Sequence, residues 1–104
     1  AIAAYEQALA VGPGSSADAT IYLSLAGLHR ALGRLDRAAR ALEAADRAAP
    51  GHPEVLANLG TVHRELGRDG DALAAWRRFL EVAPPRHPLR ARIEAAVRRL
   101  EQGR

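Results

Sequence analysis

Residues 53–86 read PEVLANLGTVHRELGRDGDALAAWRRFLEVAPPR, and the rest of the fold is inferred from their pattern. The apolar residues of this segment recur at helical spacing on either side of Gly67, which predicts two amphipathic helices joined by a tight turn. Gly67 tolerates the positive φ of a left-handed helix cap. Asp69 or Asp71 can accept the free amides that open the next helix, and Pro84 ends it.

Each predicted helix of this segment carries one apolar stripe that we expect to be buried. The stripe of the first helix is Val55, Leu56, Leu59, Val62, His63 and Leu66, and that of the second is Ala72, Leu73, Trp76, Phe79 and Leu80. The spacing of Trp76 and Phe79 places both on the face that meets neighbouring helices. We therefore expect core residues there, although two aromatic residues could also form a ligand box.

The segment has a second copy immediately before it. Shifting the chain by 34 residues pairs residues 19–52 with residues 53–86 and gives ten identities in 34 positions, among them His29 with His63 and Arg30 with Arg64. The first copy repeats the helix–turn–helix pattern with Tyr22, Leu25, Leu28, His29 and Leu32, then Gly33 and Asp36, then Ala38, Leu42 and Ala45, and finally Pro50.

Together these residues resemble the tetratricopeptide repeat family, whose pattern has a Leu-Gly pair, an aromatic residue, an Ala, a second aromatic residue and a closing Pro. The second copy offers Leu59, Gly60, His63, Ala72, Trp76 and Pro84, and the first offers Leu25, Ala26, His29, Ala38, Leu42 and Pro50. The departures are His for Tyr at 29 and 63, Leu42 for an aromatic residue and Phe79 for Ala. The resemblance covers roughly residues 1–86 and implies an all-α, right-handed superhelical stack of antiparallel helix pairs.

The two ends of the chain complete the predicted single domain of residues 1–104. Residues 1–17 fit the second helix of a truncated repeat plus a loop, with Ala1, Tyr5, Ala8 and Pro13 at the matching places, so the chain is expected to start partway through a repeat. Residues 87–104 are expected to form a capping helix with the stripe Leu89, Ile93, Val97 and Leu100. The predicted helices are 1–11, 18–32, 36–48, 53–66, 70–83 and 87–102.

Charge is unevenly distributed along the chain. Residues 1–85 hold nine Arg and ten acids, whereas residues 86–104 hold six Arg against two Glu, so the net charge of +3 comes from the last segment. There is no Cys, which excludes disulfides and thiolate chemistry and leaves cytoplasm and periplasm both open. No run of apolar residues is long enough to cross a membrane. We expect a soluble module of a larger bacterial protein.

The sequence shows no constellation of catalytic or cofactor-binding residues. No nucleophile elbow surrounds any Ser or Thr, and the loop from Gly12 to Ser16 lacks the ending of a P-loop. His29 and His63 recur at equivalent places, but no second pair of ligands is spaced to complete a metal site with them. We expect both to pack in place of Tyr with a hydrogen bond at the ring edge. His52 and His87 are expected to be exposed in loops.

The resemblance also implies a function, because the first helix of each repeat lines a concave groove in this family. The candidate partner-binding residues are Thr20, Leu23, Ser24, Gly27, Arg30, Glu54, Ala57, Asn58, Thr61, Arg64 and Glu65. Arg30 and Arg64 could grip carboxylates, or could be ordinary solvated arginines. Asn58 has both a donor and an acceptor for a peptide backbone.

The prediction is therefore a non-enzymatic scaffold or adaptor that uses no cofactor and binds a peptide or protein partner. The alternative is a helical-repeat module that binds nucleic acid or an acidic surface through the arginines at 86, 90, 92, 98 and 99. A non-catalytic domain fused to an enzyme is also open. Nucleic acid is the less favoured partner, and self-association through the N-terminal face is a further option. Partner identity, oligomeric state and compartment lie beyond the sequence.

Overall fold

The computed structural model of the protein describes residues 16–103, which form five α-helices and no strand. These helices are α1 (Ser16–Ala31), α2 (Leu35–Ala48), α3 (Pro53–Glu65), α4 (Asp69–Val82) and α5 (Arg90–Gln102). Short turns join α1 to α2 and α3 to α4, and each pair packs together as an antiparallel hairpin. The all-α class and the helix pairs are confirmed. The predicted helix at 1–11 lies outside the described residues.

Four of the five described helices begin and end within two residues of their predicted bounds, and the last one begins later. It starts at Arg90 rather than at residue 87. The segment before it turns instead, with the amide of His87 bonded to the carbonyl of Pro84 and that of Arg90 to the carbonyl of His87. Pro88 contributes to this delay because it has no N–H to donate and disfavours helical geometry in the preceding residue.

The chain divides between Pro50 and Gly51 into two compact units, each containing one hairpin. The first hairpin is α1 with α2. The second is α3 with α4, and α5 packs against α4 in the same unit. The right-handed superhelical arrangement of the pairs stays a prediction.

Both hairpins turn through the same glycine-based cap. Gly33 has a φ of 76° and Gly67 a φ of 78°, as the left-handed position of a Schellman motif requires. In the first hairpin the amide of Gly33 bonds to the carbonyl of Arg30 and that of Arg34 to the carbonyl of His29. The second hairpin repeats both bonds between the residues 34 positions further on, at 2.9 and 2.8 Å. The predicted glycine caps are confirmed.

The predicted aspartate cap of α4 is wrong. The N-cap residues are Arg34 for α2 and Arg68 for α4, and neither forms a side-chain capping bond. Asp69 and Asp71 lie in the first turn of α4, inside the helix, where a negative charge is favourable beside the positive end of the helix dipole. The Schellman turn sets this start, because the residue after the glycine already accepts the first helical amide.

An apolar cluster shared by three helices lies in the core of the second unit. Its buried members are Leu56, Ala57, Ala72, Leu73, Trp76, Phe79, Ala83, Ile93 and Val97. Leu80, Leu89, Ala96 and Leu100 are half-buried and pack against it. Trp76 and Phe79 are therefore core residues, as predicted. The predicted apolar stripe of the last helix packs against the same cluster.

The first unit buries smaller side chains. Among residues 16–50 the buried apolar residues are Ala19, Leu25, Ala26, Ala38, Ala39, Ala41, Leu42 and Ala45. Leu32 was expected among them but is 58% exposed. It is the residue just after α1 ends, and helical periodicity no longer fixes the direction of a side chain beyond the last turn. The equivalent Leu66 is half-buried.

Candidate partner-binding surface

On α1, the predicted partner-binding residues divide into exposed and half-buried positions. Thr20, Gly27 and Arg30 are exposed, whereas Leu23 and Ser24 are half-buried. The opposite side of the helix buries Ala19, Leu25, Ala26 and His29. The helical spacing of the apolar residues thus turns the polar positions outward, as expected for one side of an amphipathic helix.

The equivalent residues on α3 show the same division with one exception. Glu54, Asn58, Arg64 and Glu65 are exposed. The exception is Ala57, which was predicted as an exposed contact but is only 4% exposed and belongs to the core cluster. The side chain of Ala57 is therefore not available to a partner. The indole of Trp76 packs against α3 at this point and donates a hydrogen bond to the backbone carbonyl of Ala57.

The carbonyl oxygen of Ala57 is the point where α3 and α4 meet. It accepts a hydrogen bond from the indole Nε1–H of Trp76 at 3.2 Å and another from the hydroxyl of Thr61 at 3.1 Å. A Cβ atom built on Gly60 would overlap the Trp76 indole ring. The indole ring can therefore occupy this position only because Gly60 has no side chain. Thr61, half-buried on the candidate surface, uses its hydroxyl proton for a bond within its own helix.

His29 and His63 are buried at equivalent places, as predicted, but the expected hydrogen bond is not formed by Nδ1 of either ring. The Nδ1 atom of each ring is buried, and no residue in the described part of the chain offers it a hydrogen-bond partner. Between residues 16 and 103, no three His, Cys, Asp or Glu side chains come together in a group that could hold a metal ion. These histidines take the place of the family's Tyr through packing.

The two loop histidines were expected to be exposed, and both are half-buried. His87 packs its ring edge-on against Phe79, with ring centroids 5.1 Å apart, and its Nδ1 accepts the amide of Leu89 at 3.1 Å. His52 precedes α3 and has a buried Nδ1 without a partner in the described residues. The prediction failed because a residue outside any helix has no periodicity that indicates its burial.

Two charged residues around α5 have internal partners that the sequence did not indicate. The guanidinium of Arg90 donates to the carbonyl of Ala83 at 3.0 Å, at the C-terminal end of α4. Glu101 accepts a hydrogen bond from Arg77 of α4 at 2.6 Å in an exposed ion pair. A cation seven residues after the carbonyl that it binds and an acid 24 residues from its partner carry no local sequence signal. No helix among residues 16–103 is long and apolar enough to cross a bilayer.

Comparison with known proteins agrees with this architecture. The family model described as tetratricopeptide repeat matches residues 18–62, which include the first hairpin, its Schellman turn and most of α3. No curated protein sequence matches the chain. The match, the helix hairpins and the repeated small-residue and glycine positions agree with one another, and residues 18–62 are similar to the tetratricopeptide repeat family.

Proposed function

We propose that this protein is a scaffold or adaptor module that binds a peptide or protein partner through the exposed face of α1 in the first unit and through that of α3 in the second. Tetratricopeptide repeats generally mediate protein–protein interaction. The proposal gives the chain no catalytic role and no cofactor. Within the described residues the hydroxyl of Thr61 is already bonded to its own helix, which leaves it poorly suited as a nucleophile.

The observation that carries the proposal is the recurrence of exposed polar residues at equivalent places on two helices whose other sides are buried. Thr20 corresponds to Glu54, and Arg30 corresponds to Arg64, and all four are exposed. Helix backbones satisfy their own hydrogen bonds, so contacts with a partner fall to side chains such as these. Asn58, also exposed, can donate to and accept from a peptide backbone at once.

Site-specific photo-crosslinking tests which side of the hairpins faces the partner. A photoreactive phenylalanine is placed at Thr20 or Asn58 and, as matched controls, at the exposed positions Arg40 of α2 and Ala74 of α4. Irradiation in an extract of the source cells should give the same adduct from Thr20 and Asn58 and none from the controls. Equal adducts from all four positions, or none from the first two, would show that the proposed surface is wrong.

A charge-reversal pair tests the two arginines on the same surface. We expect Arg30→Glu with Arg64→Glu to lower the yield of the Asn58 adduct at least about tenfold, because a favourable contact becomes repulsion at each site. The control is Arg40→Glu with Arg47→Glu, which makes the same change of net charge on exposed positions of α2. A similar loss in both variants would point to net charge and not to a contact surface.

A further inference from the structure

The orientation of α5 is fixed by the side that it buries. Ile93 and Val97 are buried in the core cluster, and Leu89, Ala96 and Leu100 pack against it. At 3.6 residues per turn, the side chains that face away from this stripe include those of residues 91, 92, 95, 98 and 99. Ala91, Arg92, Arg98 and Arg99 are exposed, and Ala95 is half-buried. We name these five residues the α5 outer face.

The charged residues of α5 form two groups. Some are bonded to other residues of the protein, and the others face solvent. Arg90 is bonded to the α4 terminus, and Glu101 is paired with Arg77. The α5 outer face therefore carries three guanidinium groups and no carboxylate. Glu94 lies four residues before Arg98 and is half-buried at the edge of the face. Even if Glu94 offsets one arginine, the face remains cationic.

Arg98 is the third arginine in a series that recurs along the chain with the 34-residue period of the repeat. Arg30, Arg64 and Arg98 are spaced by 34 residues, and all three are exposed. The first two belong to the surface proposed above for partner binding. Arg98 occupies on α5 the place in the repeat that Arg64 occupies on α3, so the α5 outer face corresponds to the partner-binding face of the preceding repeat.

The chemistry of the face fits protein carboxylates better than the other anionic surfaces. Single-stranded nucleic acid needs exposed aromatic rings for stacking, whereas the described aromatic residues of this unit, Trp76 and Phe79, are buried. Duplexes are held by many phosphate contacts, and three arginines give few. An anionic membrane calls for larger basic clusters and apolar anchors, and Ala91 and Ala95 are the apolar residues on this face. A few guanidinium groups can bind the carboxylates of a short acidic segment bidentately.

We propose that the α5 outer face binds an acidic, Asp- or Glu-rich segment of the partner protein. This inference rests on the proposed function, since it names the chemistry of one part of the partner. It goes beyond that function because it assigns contacts to the capping helix, which would otherwise only cover the end of the core cluster.

The test measures binding of a labelled acidic peptide to the whole chain by fluorescence anisotropy. The probe is a short peptide of alternating Glu and Ser, and the reference probe replaces each Glu by Gln. We expect the acidic probe alone to bind, and its affinity to fall as salt rises, because exposed charge pairs are screened. The variant R92Q/R98Q/R99Q should bind it at least about tenfold more weakly, since three exposed charge-assisted contacts are lost. No binding of the acidic probe to the unaltered chain would overturn the proposal.

The control variant R37Q/R40Q/R47Q removes the same charge from exposed positions along α2. It should bind the probe within about twofold of the unaltered chain, because its arginines lie off the α5 outer face. Circular dichroism checks that both variants keep their helices. Equal weakening in both variants would overturn the proposal by showing a response to net charge. The variant R92K/R98K/R99K, which keeps the charge, should bind better than the glutamine variant, and equal loss in both would contradict a charged contact.

Two further probes decide the class of partner. A short RNA duplex or vesicles containing phosphatidylserine should bind more weakly than the acidic peptide at physiological salt, and the reverse order would overturn the proposal. These experiments distinguish a failure of the acidic-segment inference from a failure of the proposed function. If the Asn58 adduct survives but the glutamine variant binds the peptide normally, the acidic-segment inference is wrong and the adaptor function stands. If no adduct forms from Thr20 or Asn58, the proposed function itself is wrong.

Discussion

The two hairpins share their turns but fill the space between their helices differently. In the second hairpin, Gly60 and Trp76 face each other, and the indole reaches a carbonyl of the opposite helix. In the first hairpin, the equivalent residues are Ala26 and Leu42, and both are buried. A larger side chain on one helix is matched by a smaller one on the other. This is what close packing demands when the volume between two helices is fixed.

In each hairpin the side chains of the packing pair match in size, although the residue types differ. At the turns, in contrast, both hairpins have the same residue type, because each turn requires a positive φ that glycine adopts without strain. Substitutions in the two hairpins should therefore differ at the packing pair and agree at the turn. Three sets of substitutions test this difference, and they are given in order of decreasing effect on stability.

Truncating the large residue of each packing pair should have the largest effect. We expect Trp76→Ala to lower the free energy of unfolding by about 3 to 5 kcal/mol, because it leaves a large cavity in the core cluster and removes the bond to Ala57. Leu42→Ala should cost less, about 2 to 4 kcal/mol, because a smaller volume is lost. Urea unfolding followed by circular dichroism measures both. An unchanged midpoint for Trp76→Ala would mean that the indole is not part of the core.

Adding a methyl group at the small residue of the second pair should have the next largest effect. We expect Gly60→Ala to cost about 1 to 3 kcal/mol, because the new Cβ overlaps the indole ring. The same substitution made on top of Trp76→Leu should cost nothing further, since the double variant has the Ala and Leu of the first hairpin. Urea titrations of the two single variants and the double variant give the coupling energy. Additive losses would contradict the volume match.

The turn glycines should give the smallest effect, and the same one in both hairpins. Gly33→Ala and Gly67→Ala should each cost about 1 to 2 kcal/mol, because a Cβ is strained at positive φ although nothing crowds it. The control is Gly27→Ala, in the exposed middle of α1 with open space around it, which should stabilise by about 0.5 to 1 kcal/mol. Thermal melting followed by circular dichroism compares the three. A large difference between the two turn variants would show that the turns are not equivalent.

Much of the architecture follows from local sequence. The period of the apolar residues fixed the four hairpin helices to within two residues, and the glycines at 33 and 67 predicted their turns. Five of the predicted surface residues are exposed on α1 and α3 besides the two arginines, namely Thr20, Gly27, Glu54, Asn58 and Glu65. These features depend on spacing along a single helix, which the sequence contains in full.

What the amino-acid order determined by itself is the helix content, the turns, the 34-residue period and the separation of a buried side from a polar side. Which side chains are buried at helix ends, in loops and at the edge of a helix's apolar side depends on the tertiary structure. It buried Ala57 beneath an indole from another helix, exposed Leu32 beyond a helix end, and placed His87 against Phe79. The physical reason is that helical periodicity gives a side chain its direction, whereas its burial depends on what another segment of the chain brings to meet it.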